Sequence, residues 1–487
     1  MQKSIKLNYV FNLLLNISKV LFPLITAPYV SRILEPDGIG LANFAGTYAS
    51  YFAMFASLGV ANYGIREIAK RKNDISDCSN FVSQIFSIEI ITTAIVTVIY
   101  LATLLFLDQF NENILLFIIS GIGLYLTPFS VEWFFSGREE FAFITFRSLV
   151  IKIIFIILLF IVVHTKDDLI KYVILGALSS VANQVWNFIK LYRSGVRIRF
   201  TQSGLRIHLK PILLLFASSI AISIYTSLDT LMLGLLNNYT EVGYYTQAMR
   251  LVHLLLPVAT SLSIVAMPRV SSYIKEGKLE DINELMNKSA SLVSFLAFPL
   301  SLGIISIAPE FVPAFFGQAF YGSILPMQIG SLIIIAIGLN NLNGVQILIG
   351  LGKDKLFLYS VCSGAITNFI LNMVLMQKYG AVGAAISTVT AEFLILFVNE
   401  YFVRTHTSVK VTNFSDVIKS LIGSLAFIPI CFCIGNYTSG WAFVFSAFMV
   451  CVIIYAIMEY MLRNKMLYFI TELLVSRISN MRNNKLK

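Results

Sequence analysis

The sequence predicts an all-α membrane protein: fourteen transmembrane helices forming two pseudo-symmetric six-helix lobes, followed by a C-terminal helix pair. Three observations lead there. Hydrophobic residues make up 57% of the 487 residues and charged ones 13%, about half the charged share of a soluble chain. Apolar stretches long enough to cross a bilayer, which takes about 20 residues each, recur from end to end with short connections. Lys and Arg then separate cleanly between the two sets of loops that these stretches create.

The spans are expected at residues 9–31, 40–62, 82–107, 112–135, 144–163, 169–190, 211–236, 244–268, 289–309, 323–350, 356–377, 381–403, 417–435 and 440–462. With the N-terminus inside, the cytoplasmic segments carry 29 of the 36 Lys and Arg residues and the outer loops carry four: Arg32, Lys166, Lys171 and Lys378. One missed span would invert every later loop and scramble this partition. Both termini are therefore expected in the cytoplasm. The net charge of +10 follows from orientation and from anionic lipid on that face, and requires no nucleic-acid partner. The N-terminal segment has the basic start of a signal peptide, but Lys19 interrupts its apolar part and no small-x-small cleavage site follows, so it reads as a retained first helix.

A weak internal repeat supports two lobes. "IGLANFA" (39–45) and "VGYYTQA" (242–248) match at a shift of 203, and "SGREE" (136–140) and "LGKDK" (351–355) at a shift of 215. Helices 1–6 map onto 7–12, and because six is even the halves share one orientation, as in transporters that alternate access between two bundles. The expected divisions are 1–203 for the first lobe, 204–412 for the second, 413–463 for the appended pair and 464–487 for a basic tail.

Three basic residues, Lys19, Lys152 and Arg250, remain inside expected spans. A charge near the centre of a helix costs about 2.5 to 3.5 kcal/mol on insertion scales, so it faces a cavity or a partner rather than lipid. Lys19 lies ten residues past Tyr9, roughly 15 Å along a helix and half of the hydrocarbon core. It reads either as one half of a buried ion pair or as part of a wet, anion-attracting cavity. Lys152 is shallower and reads equally as a snorkelling side chain. Asp229 and Arg250 sit at matched depth on neighbouring helices, as a structural ion pair or, if they exchange partners, as a gate. Glu392 is the deepest acid, a site for a coupling H⁺ or Na⁺ or a plain hydrogen-bonded carboxyl. Glu89 and Glu132 are weaker coupling or gating candidates nearer the interfaces. Asn340, Asn341, Asn343 and Gln346 line one helix, to receive sugar or to knit helices together.

Nothing in the chain resembles a covalent active site. The four histidines are scattered, the five cysteines lack zinc or disulfide spacing, and no Gly-rich phosphate loop appears. The expectation is a transporter with no cofactor, driven by a gradient of H⁺ or Na⁺, by voltage, or by consumption of its product.

At "VSRILEPDGIGLANFAGTYASYFAMFASLGVANYGIREIAK" (30–70) the chain resembles the polysaccharide transport family. These are the Wzx-type lipid-linked oligosaccharide, or O-antigen, flippases of the multidrug/oligosaccharidyl-lipid/polysaccharide (MOP, MATE-like) exporter superfamily. The likeness continues through "PFSVEWFFSGREE" (128–140), "SLDTLMLGLLNNYTEVGYYTQAMRL" (227–251), "MPRVSSY" (267–273), "LGKDKLFLYS" (351–360) and "YGAVGAAIST" (379–388). One departure is Glu35, where the family often has Gly before Pro.

The resemblance implies fourteen helices, a central cationic cavity and residence in a bacterial inner membrane. It implies a substrate of undecaprenyl-pyrophosphate-linked oligosaccharide, moved from the cytoplasmic to the periplasmic leaflet, with a polysaccharide polymerase and a chain-length regulator as partners. Lys19 and Lys152 would then receive the pyrophosphate, with Arg250 contributing from the second lobe. The competing readings are a peptidoglycan-precursor flippase, a cation-coupled multidrug exporter of the same superfamily and, as an enzyme, an integral-membrane polymerase. The last needs catalytic groups on sizeable outer loops, and the outer loops here are short.

Overall fold

The computed structural model describes residues 5–72, 74–410, 414–469 and 471–472, and among them every regular element is helical. A chain dissolved in lipid must satisfy its backbone polar groups internally, and a helix does so within one segment. Among the described residues, eight helical stretches are long and apolar enough to cross a bilayer by themselves. Two of these are double length and broken once. Ile5–Ser57 is interrupted at Glu35 (φ 57°, ψ 176°), and Asp354–His406 at Gly380 (φ 51°, ψ −127°).

The chain forms two compact units, Met1–Gly243 and Tyr244–Lys487. The division lies about forty residues beyond the position 203/204 expected from the sequence, so Arg206–Leu236 packs with the first unit. The units repeat one another in their irregular parts. In the first, a six-residue 3₁₀ turn, Asp108–Asn113, precedes the seven-residue helix Ile114–Ser120. In the second, Gln318–Ser323 precedes Ile324–Gly330 at an offset of 210 residues. Phe110 and Phe320 are the corresponding anchors and both are wholly buried. The offset falls between the shifts of 203 and 215 in the sequence repeat, as it would if short insertions had accumulated along the second copy.

Several helices run past their apolar windows. Ile75–Phe106 starts seven residues before the expected span because Asp74 caps it, accepting from the backbone N–H groups of Ser76 (2.8 Å) and Asp77 (3.0 Å). The expected span 40–62 ends at Ser57 instead. A separate helix, Val60–Lys70, follows a left-handed Gly59 and turns Val60, Tyr63, Gly64, Glu67 and Ile68 inward. It packs on a core that includes Phe81, Ile85, Trp133 and Phe134. Burial alone would raise the Glu67 carboxyl, but hydrogen bonds from Arg71 (2.7 Å) and Lys70 (2.8 Å) overcome it and hold it at about 2. In the second unit the C-terminal pair packs through Leu302, Phe427, Phe443 and Tyr455.

Candidate functional site

Spacing along the first helix sets the site. Asn12, Asn16, Lys19, Pro23 and Thr26 recur every three or four residues and so share one stripe. Asn16 donates to Asn12 Oδ1 at 3.2 Å. Pro23 has no N–H to give to the carbonyl four residues back, which is that of Lys19. The Lys19 side chain is exposed, and among the described residues it forms no ion pair. Lys152, on Phe141–Val162, is half-buried; its Nζ donates to Ser18 Oγ at 2.9 Å and lies 5.3 Å from the centre of the Phe22 ring. Ser18 is buried and passes its own proton to the Leu15 carbonyl at 2.7 Å. Lys152 likewise has no carboxylate partner among the described residues, and the charge of Lys19 is close enough to act on it. Two like charges held in low-dielectric surroundings without a counter-charge are stable only beside water or an anion.

Arg147 is a buried cation that was not among the candidate site residues. It is only 2% exposed; it donates to Asn187 Oδ1 and to Glu132 Oε2 and lies over Phe143. Glu132, a candidate for coupling or gating, is thus the half-exposed partner of a buried guanidinium. Glu89, expected near an interface, lies fourteen residues along Ile75–Phe106 and is buried, with Oε2 making no hydrogen bond.

In the second unit the polar run spans a helix that widens to a π-helix over Asn341–Ile349. Asn340 Nδ2 donates to the Glu392 carbonyl (3.1 Å) and to its Oε2 (3.4 Å), and Asn399 donates to Asn340 Oδ1 at 3.3 Å. Asn343 donates to Glu400 Oε2 at 2.9 Å, and Glu400 accepts from Arg404 at 2.6 Å. Asn340 and Asn343 therefore tie their helix to the one carrying Glu392. Gln346 is buried and Asn341 half-buried. Asp229 is half-buried in the first unit and Arg250 half-buried in the second. Ser18, Asn187, Asn399 and Glu400 were not singled out from the sequence; a hydroxyl next to Lys19 was the only signal available for any of them.

A family model described as "Polysaccharide biosynthesis protein" matches residues 5–274, more than half of the chain. The chain belongs to this polysaccharide biosynthesis family. Among its relatives, a putative O-antigen transporter of Escherichia coli (strain K12) is 26% identical over 413 residues, covering 82% of this chain and 97% of that one. The fold of this family member is similar to two solved structures. The lipid II flippase MurJ in an inward closed conformation superposes with a TM-score of 0.76 at 16% identity, over 94% of this chain and all of that one. An inward-facing multidrug resistance MATE family transporter of the MOP superfamily gives 0.55 at 16% identity, over 79% and 94%. The protein is an all-helical, multi-pass membrane protein of this fold.

Proposed function

We propose that this membrane transporter flips undecaprenyl-pyrophosphate-linked oligosaccharide units from the cytoplasmic to the periplasmic leaflet of a bacterial inner membrane, with both termini cytoplasmic. The observation that carries the reading is the pairing of Lys19 with Lys152, two neighbouring cations with no carboxylate between them, beside the freed Lys19 carbonyl and the Ser18 hydroxyl. A diphosphate entering lipid loses its water, and two ammonium groups offset that loss through charge-assisted hydrogen bonds. The full-length similarity to a putative O-antigen transporter supports an oligosaccharide cargo.

Fourteen spans fit within the helical segments 5–34, 36–57, 75–106, 114–137, 141–162, 169–193, 206–236, 239–276, 279–316, 324–349, 354–379, 381–406, 414–435 and 440–461, several of which run past the bilayer, if Glu35 and Gly380 are turns between spans. The two lobes expose the site alternately. Arg250, Asn341 and Gln346 contribute from the second lobe. Glu89 and Glu392 take the coupling H⁺ or Na⁺, and Asp229 acts at the gate. Polymerase and chain-length regulator act downstream.

The test is export. Lys19→Ala and Lys152→Ala should reach the membrane at wild-type levels and lose surface polysaccharide, whereas wild-type export from the well-expressed double variant removes the reading. The MurJ-like fold favours peptidoglycan precursor as the second cargo. Rescue of a strain depleted of its lipid II flippase, without rescue of an O-antigen flippase mutant, would select it.

A further inference from the structure

A cavity of about 700 Å³ lies wholly within the second unit, apart from the residues discussed above. Its walls come from the end of Tyr239–Glu276, the start of Leu279–Phe316 and the turn of helix at 465–469 that follows the last apolar helix. That places it where spans end, at headgroup depth. Asn464 builds the third wall. Buried itself, it donates to the Asp416 carbonyl (3.4 Å) and to Ser420 Oγ (3.2 Å), while its own Oδ1 accepts from the Met466 backbone N–H at 3.0 Å. Lys465 is thereby fixed at the rim.

Three cations and three carboxylates line the cavity, but they do not all pair with one another. Glu284 is paired with Lys288 at 2.5 Å, and Asp416 accepts from Lys419 and from Ser291, both at 3.2 Å. Arg269, Lys465 and Asp281 line the same space and, among the described residues, form no ion pair within 4.0 Å, the nearby Lys278 charge being held by Glu276. Leu285, Leu292, Met466 and Phe469 supply an apolar wall. Two uncommitted cations, one uncommitted carboxylate and an oily wall complement a zwitterionic phosphodiester attached to an acyl chain.

We propose that this cavity binds the headgroup of an ethanolamine phospholipid of the surrounding membrane. The phosphate sits between Arg269 and Lys465, the ammonium reaches Asp281, and the first acyl carbons run along Met466 and Phe469. Basic pockets between transmembrane helices commonly hold lipid headgroups. Here the acid selects among them. The proposal does not depend on what the protein transports.

Native mass spectrometry of the detergent-solubilised full chain, titrated with phosphatidylethanolamine, reads the site directly. Arg269→Gln with Lys465→Gln should weaken retention of one lipid at least tenfold, since two charge-assisted hydrogen bonds are lost. Asp281→Asn should remove the preference for phosphatidylethanolamine over phosphatidylcholine, whose quaternary nitrogen has no proton to donate. Lys353→Gln with Lys355→Gln, which lowers net charge elsewhere, should leave retention unchanged. A second measurement needs no variant: hydrogen exchange at 465–469 in the wild type should slow when phosphatidylethanolamine is added and not when inorganic phosphate is. Unchanged retention in the Arg269 and Lys465 variant, equal retention of phosphatidylglycerol by the wild type, or protection by phosphate alone overturns the proposal.

Discussion

Gly40 and Gly243 close one contact reciprocally. A Cβ on Gly40 would lie 1.6 Å from the Tyr239 carbonyl oxygen, and a Cβ on Gly243 would lie 2.0 Å from that of Pro36. The glycines are 203 residues apart and so are Pro36 and Tyr239, the shift of the sequence repeat. Each glycine thus meets a carbonyl four residues before the other, and both approaches lie within the first unit. Thr240 Oγ1 donates to Asp37 Oδ1 across it at 3.3 Å, and these residues are also 203 apart. A repeat that is weak as sequence is strong as packing.

Both positions should reject even a methyl group. The obstructing atoms are backbone carbonyls, which cannot rotate aside as a side chain does, so Gly40→Ala and Gly243→Ala should each cost about 3 kcal/mol, the upper end of ordinary overpacking. Their effects should match because the contact is symmetric. Gly46→Ala, where a Cβ meets nothing within 4 Å, should be neutral or gain up to about 1 kcal/mol. Thermal unfolding of the three variants in detergent measures this, and tolerance of alanine at Gly40 would contradict the close approach.

Glu35 stores strain that glycine would release. Its φ of 57° and ψ of 176° fall in a region occupied almost solely by glycine, at a cost of about 1–3 kcal/mol for other residues. This is the position where the family often has Gly before Pro. The side chain returns little: its contact with Lys166 is 3.6 Å long and exposed, and such pairs are worth about 0–1 kcal/mol. Glu35→Gly should therefore raise the unfolding temperature, whereas Glu35→Ala, which keeps a Cβ, should not. Equal stability of all three side chains would show that the turn is unstrained.

What the sequence disclosed depended on whether a signal was local. Lys19 stood out because a charge inside an apolar run is costly wherever the helix goes, and Lys152 for the same reason. The buried contacts of Arg147 were not legible because Glu132 and Asn187, 15 residues before it and 40 after, meet it only in the fold. The helix Val60–Lys70 was hidden because hydropathy scores only apolar length, and this helix alternates Glu67 and Arg66 with Ile68 and Val60. The early start of the helix that carries Glu89 was hidden because the Asp74 cap, not the first apolar residue, begins it. Asn340 and Asn343 were legible as polar residues facing inward; that they meet Glu392 and Glu400 required knowing which helix lay opposite.

His208 should make the first unit sensitive to mild acid. It lies ahead of the apolar run that begins at Pro211 and is buried between Tyr63 and Gln84. Gln84 Oε1, at 2.8 Å from Nε2, only accepts, so Nε2 carries the proton and Nδ1 accepts from the Tyr63 hydroxyl at 2.8 Å. Protonating Nδ1 would force that bond to reverse, the Tyr63 oxygen then accepting, and would place a charge in a buried site. Burial, and then the Arg71 charge, hold the imidazole below its ordinary value of 6.5, with Glu67 opposing. In the unfolded chain the ring titrates near 6.5, so above that pH the stabilisation is fully present. As pH falls below 6.5 the unfolded chain takes a proton that the folded one refuses, and stability declines until the lowered value is passed. Glu67 acts at more acid pH, losing its contribution as pH falls from 4.5 towards about 2, so the two effects separate. The unfolding temperature should fall between pH 7.5 and 5.5. His208→Gln should start about 1–3 kcal/mol less stable, having disturbed a buried hydrogen-bonded pair, and should be flat over the same interval. A wild type that is equally flat would mean that the ring is already charged in the fold.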